Sequence, residues 1–161
     1  AYQVPAVIRG PAGIHSPGRR VDQFVSLADF GPTFIEASGQ PLNRHFAGSS
    51  LLPFLRGEPV DAWREAIFTQ CNGVELYYSQ RSVMTGEYKY TFNGFDQDEL
   101  YDLRSDPHET CNRSDDPVLA DVKRDLARRM WQFAYRQGDS MINPYITVGL
   151  APYGPGAAFD E

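Results

Sequence analysis

Residues 72–81, Asn-Gly-Val-Glu-Leu-Tyr-Tyr-Ser-Gln-Arg, hold the densest set of groups able to recognise a small molecule. A carboxylate, two phenols, two amides and a guanidinium share one short stretch that reads as a polar-aromatic loop between two strands. Aromatic faces and bidentate groups suit a sugar or an aryl ring. Glu75, Tyr78 and Arg81 are therefore the candidate substrate-binding residues. The competing account of the same residues packs Tyr78 in the sheet and pairs Arg81 with a nearby carboxylate.

Other reactive residue types do not gather. Cys71 and Cys111 have no metal-ligand spacing and allow at most one disulfide, so two free thiols are expected. His15, His45 and His108 are scattered, none with a partner at ligand spacing, and are read as exposed or structural. Gly10-x-x-Gly13 contains Pro11 and opens no helix, so it is not a phosphate loop. No nucleophile-elbow pattern occurs. Asp98-Glu99 and Asp102 flank a strand, where carboxylates are expected to be solvated. Asp115-Asp116 stands just before Pro117, where helix capping is the natural role. No catalytic residue and no metal ligand is assigned.

Positioning of the 72–81 stretch falls to a small set of predicted elements. Strands are expected at about 66–70, 81–92 and 98–103. Val83, Tyr88, Tyr90 and Phe92 supply β-branched and aromatic residues, and Asn93-Gly94 is a strong hairpin signal. Glu99-Leu100-Tyr101-Asp102-Leu103 alternates as a half-buried return strand does. A helix is expected from about Pro117 to Arg136, with Val118, Val122, Leu126, Met130 and Phe133 on one stripe and Gly138 ending it. Lys123-Arg124 and Arg128-Arg129, interleaved with Asp121 and Asp125, read as that helix's solvated face.

Nearer the start, Val4–Arg9 reads as an apolar strand. Gly31–Gly39 reads as a helix with Pro32 in its first turn, Asp29 as its cap and Gly39 at its end. From Asn143 onward Pro144, Gly149, Pro152, Gly154, Pro155 and Gly156 suggest a tail lying extended over a surface or partly loose. The fold class expected is α+β. A small antiparallel sheet packs against a long C-terminal amphipathic helix, preceded by the closing strand and helix of a parallel α/β sheet.

The chain has 161 residues, enough for a real core, and its 9 Tyr, 10 Phe and 2 Trp argue against disorder. Its net charge of −6, with no Lys/Arg stripe, argues against nucleic acid as a partner. No apolar run is long enough to cross a bilayer, and no membrane partner is assigned. Compartment, whether periplasmic or secreted or cytoplasmic, stays open.

Arg81, Val83, Thr85-Gly86, Tyr88-Lys89-Tyr90, Glu99 to Leu103, Asp106-Pro107, Glu109 and Asn112 follow one another in an order that resembles the C-terminal signature of sulfatases in the alkaline-phosphatase-like superfamily. Val25-Ser26, Asp29, Pro32-Thr33 and Gly39 resemble an earlier family block, as do Gly48 with Ser50–Gly57, and Trp63–Phe68 resembles the strand that follows. The resemblance implies three parts: residues 1–57 as the end of the large α/β domain, 58–140 as the C-terminal antiparallel subdomain, and 141–161 as the tail.

It further implies a bacterial-type sulfatase, a sulfuric ester hydrolase, as the parent. Such an enzyme uses Ca²⁺ and a formylglycine made from Cys (or Ser) in a Cys-x-Pro-x-Arg or Cys-x-Ala-x-Arg context. Neither Cys71 nor Cys111 has that context, so the chain alone is expected to be inactive. In relatives the loop matching 72–81 lies near the mouth of the active site. The implied partners are the missing N-terminal catalytic domain and a sulfated small molecule or glycan, with a possible oligomer through the exposed sheet face. The start at Ala1, without Met and in an apparent strand, favours a fragment. The alternatives are the same region of a phosphodiesterase or phosphonate hydrolase, and a non-catalytic binding module.

Overall fold

A computed structural model describes residues 4–10, 13–73, 79–94, 96–142 and 153–159. The chain divides into two compact units, Ala1–Arg64 and Glu65–Glu161.

The first unit is organised around one buried carboxylate. A 3-10 turn at Leu27–Asp29 is closed by a capping box, in which Ser26 Oγ accepts from the Ala28 amide at 3.2 Å and Asp29 Oδ2 accepts from the Ser26 amide at 2.7 Å. Helix α1, Phe30–Ala37, follows and ends in a Schellman motif, with Gly39 at φ 76° and the Gln40 amide donating to Ile35 O. Helix α2 spans Leu52–Arg56 and also ends on a left-handed glycine, Gly57. Asp29 has no exposed surface and does not cap α1 through its side chain, contrary to expectation. The carboxylate is already taken: it accepts from the Ser49 amide at 2.8 Å and from both terminal nitrogens of Arg64 at 2.8 and 2.6 Å. Gly48 is required beside it, since a Cβ there would stand 2.2 Å from Ala28 O.

The strand expected at Val4–Arg9 is not formed, since Val4–Gly10 carry no regular secondary structure and Val7 is 93 % exposed. A parallel strand needs neighbours for its amides and carbonyls, and the described residues contain no parallel sheet for it to join.

The second unit is a four-stranded antiparallel sheet in the order β1-β2-β3-β4, formed by Ala66–Cys71, Gln80–Thr85, Tyr88–Asn93 and Glu99–Asp102. The expected 81–92 strand is two strands. Thr85 Oγ1 accepts from the amides of Glu87 and Tyr88 and folds the chain back after Thr85. Asn93-Gly94 does not make the tight hairpin. Asn93 stays in β3, its amide donating to Asp98 Oδ1 and its Nδ2 to Gln97 O, so the connection runs to Asp98.

Register aligns Phe68, Val83, Tyr90 and Leu100 in one cross-strand row. Helix α3, Ala120–Arg136, packs on that row with Leu126, Ala127, Met130, Trp131 and Ala134, and Phe133 stacks on Phe68 at 4.2 Å. The predicted stripe is displaced at its start, where Val118 is 80 % exposed and Leu119 is buried. Pro117–Leu119 is a 3-10 turn, so the α-helical period does not reach back to Val118. From the tail, Pro155–Phe159 forms a further 3-10 turn with Pro155 and Ala157 buried, and the Trp131 indole donates to Tyr153 O at 2.8 Å. Asn143–Pro152 lie outside the described residues.

Candidate functional site

Period two along β2 puts Arg81 on the same face as Val83, the core face, at the end nearest the β1–β2 connection. Arg81 is 2 % exposed. Its Nε and Nη2 donate to Asp139 Oδ2 and Oδ1 at 2.5 and 2.8 Å, a fork-to-fork pair. Its Nη1 donates to Gln80 O at 2.9 Å and Cys71 O at 3.4 Å. Asp139 reaches this place through the end of α3. Gly138 at φ 69° closes a Schellman motif, its amide donating to Tyr135 O while the Asp139 amide donates to Ala134 O. Burial pushes the Asp139 carboxyl up, but the Arg81 hydrogen bonds and charge, with the Met141 amide, outweigh it and hold the group below its ordinary value. Glu75 and Tyr78, the other two candidates, lie outside the described residues.

Gln80 and Asn93 join the same end of the sheet, with Gln80 Nε2 donating to Asn93 Oδ1 at 2.8 Å and the Gly94 amide donating to Ser79 O at 3.4 Å. Asp139, Gln80 and Asn93 are not among the candidate site residues expected from sequence. The available signal for Asp139 was its position directly after the helix-ending Gly138, where the capping motif fixes its backbone.

The signature residues after β3 build structure. Asp106 accepts from the amides of Thr110 and Cys111, each at 2.8 Å, and these bonds hold its carboxyl below the ordinary value. Glu109, in the left-handed region at φ 55°, pairs with Lys89. Asn112 Oδ1 accepts from the Leu100 amide at 3.0 Å, and the Arg113 amide donates to Leu100 O at 2.8 Å, so this loop satisfies the free edge of β4. Asp116 accepts from the Val118 amide at 2.9 Å and pairs with Arg113; Arg113 and then Val118 draw its pKa down.

Two charged groups expected in solvent are not there. Asp98 accepts from the Tyr90 hydroxyl at 2.8 Å and lies 3.5 Å from Lys123, whose residue is 7 % exposed. Burial first, and the Asp98 charge second, push the Tyr90 hydroxyl far above the ordinary phenol value, so it serves Asp98 as a donor. The remaining basic residues of that run, Arg124, Arg128 and Arg129, pair on the helix surface with Asp121 and Asp125.

Cys71 and Cys111 are free and exposed, and His15, His45 and His108 are exposed. Among the described residues no three of His, Cys, Asp and Glu gather as metal ligands. Asp116 is committed to Arg113 and to the Val118 amide. The described residues do not gather the oxygen ligands of a calcium site, and neither cysteine has the sequence context for formylglycine.

A family model, N-sulphoglucosamine sulphohydrolase, C-terminal, matches residues 1–136. The chain belongs to this sulfatase family. As a sulfatase C-terminal region of the alkaline-phosphatase-like superfamily, it is similar to an ulvan-active sulfatase from Formosa agariphila, 27% identical over 92% of this chain and 36% of that one. Among solved structures, a putative sulfatase from Bacteroides thetaiotaomicron matches with a TM-score of 0.72 and 26% identity, over 92% of this chain and 35% of that one. The phosphonate monoester hydrolase of Agrobacterium radiobacter matches with a TM-score of 0.67 and 26% identity, over 74% of this chain and 26% of that one. The sulfatase region thus spans about a third of the length of the sulfatases it matches. Its antiparallel sheet and long helix are the α+β arrangement expected from sequence, and no parallel sheet accompanies them among the described residues.

Proposed function

We propose that the chain serves a sulfuric ester hydrolase as its C-terminal supporting region, and that the nucleophile and metal ligands come from an N-terminal catalytic domain. In this reading formylglycine and Ca²⁺ belong to that domain. Residues 1–57 close its α/β layer, 58–140 form the antiparallel subdomain, and 141–161 are the tail. The substrate is a sulfated small molecule or glycan, and Glu75 and Tyr78 shape the rim toward its organic part. The observation that carries the reading is the use made of the family-signature residues: Asp106, Glu109 and Asn112 are spent on turns, a buried lysine and a strand edge. A region so committed to structure supports chemistry performed elsewhere.

The likeness to a phosphonate monoester hydrolase favours a second reading, attack at phosphorus by the same architecture. A non-catalytic binding module is the third. Assays on the full-length protein separate them. Sulfate release from 4-nitrophenyl sulfate, abolished by chelator and absent from the 161-residue chain alone, is expected. Faster turnover of phenyl phosphonate would move the assignment to phosphorus, and hydrolysis of neither would leave a binding module.

A further inference from the structure

Two Asn-Gly steps occur in the chain, Asn72-Gly73 and Asn93-Gly94. Such a step can react with itself. Glycine has no side chain to shield its backbone nitrogen, so that nitrogen can attack the side-chain carbonyl carbon of the preceding asparagine. The new C–N bond closes a succinimide, and the displaced NH2 leaves as ammonia with the glycine amide proton. Water then opens the ring at either carbonyl. One opening gives aspartate. The other gives isoaspartate, in which the main chain runs through the former side chain and is longer by a methylene.

The fold treats the two steps differently. Asn93 is a β3 residue and only 7% exposed. Its Oδ1 accepts from Gln80 Nε2 at 2.8 Å, its Nδ2 donates to Gln97 O at 2.9 Å, and its own amide donates to Asp98 Oδ1 at 3.1 Å. The attacking nitrogen, that of Gly94, is turned to the Ser79 carbonyl. Reaction at Asn93 therefore requires this end of the sheet to open. Asn72 follows the last residue of β1 and is exposed, and among the described residues its side chain makes no hydrogen bond. Gly73 stands in the left-handed region at φ 69°, outside the strand.

We propose that Asn72-Gly73 is a modification site, where asparagine converts to aspartate and isoaspartate without an enzyme while Asn93-Gly94 is protected by the fold. The product carries one more negative charge, which takes the net charge from −6 to −7. The change begins just beyond the Cys71 carbonyl that Arg81 holds, so β1 keeps its pairing with β2. The proposal stands independently of the rim reading given above.

The test ages the full-length protein in mildly alkaline buffer, folded and in urea, and maps its tryptic peptides by mass spectrometry. Cleavage after Arg64, Arg81, Lys89 and Arg104 puts each step in its own peptide, 65–81 and 90–104. In the folded protein the 65–81 peptide is expected to convert at least about tenfold faster than 90–104, with isoaspartate located at position 72 by fragmentation. In urea the two rates should converge. Asn72→Gln should remove the acidic band that ageing adds on isoelectric focusing, and Asn93→Gln should leave it. Equal rates in the folded protein, no conversion at Asn72, or a difference that persists in urea overturns the proposal.

Discussion

Burial alone would push the Asp139 carboxyl above the ordinary carboxylate range, and its contacts with Arg81 and Met141 reverse that. A depressed native pKa means the unfolded chain takes up the proton first. The stabilisation is therefore complete above the unfolded value of about 3.9 and is lost as pH falls through the native one. Asp102, Asp106 and Asp116 are depressed in the same sense: Asp102 first by the Ser105 hydroxyl, Asp106 by backbone amides, and Asp116 by Arg113. Urea midpoints should accordingly decline as pH drops from about 5 to 3, and Asp139→Asn should flatten part of that decline. A midpoint independent of pH over that interval would refute the account. At this scale the position of Arg81 was legible, because alternation puts it on the face of Val83. Its partner was not: Asp139 lies 58 residues away, and only the packing of α3 on the sheet brings the two together.

Among the elements, the C-terminal helix ends at Arg136 as the local stop signals indicate, but its α-helical part begins at Ala120, three residues after the expected start at Pro117. Asp116 and Pro117 open it and Gly138 closes it. Asp115 and Asp116 were equal candidates for the cap, and the structure selects Asp116, whose carboxylate receives the Val118 amide. Asp116→Ala is expected to lower the urea unfolding midpoint, and Asp115→Ala to leave it unchanged. Equal effects would remove the assignment. Strand limits were read less well. Thr85 ends β2 through a hydroxyl that binds two amides, a turn that β-propensity over 81–92 conceals. Asn93-Gly94 failed as a hairpin because Asp98 and Gln97 compete successfully for the Asn93 donors.

For the whole molecule, the exposed apolar residues fall mainly in the first unit, with Val7 at 93 %, Leu27 at 74 % and Phe34 at 67 %. In the proposed enzyme these positions meet the catalytic domain. The 161-residue chain produced alone should therefore associate, and light scattering after size exclusion should report a mass above 18.1 kDa. Replacing Val7 and Phe34 by Asn should return it toward the monomer; a monodisperse 18.1 kDa parent chain would argue that these residues need no cover.

Sequence by itself determined the family, the α+β character of the second unit, the helix with its caps, and the absence of a formylglycine context around either cysteine. These are readable because periodicity, capping and motif order act over a few residues. Tertiary structure alone decided that Asp29 serves Arg64 instead of α1, that Lys123 is buried beside the half-buried Asp98, and that Arg81 ties both ends of the 72–79 connection to Asp139. Each joins residues distant in the chain, and a buried charge accepts whichever partner the packed elements deliver.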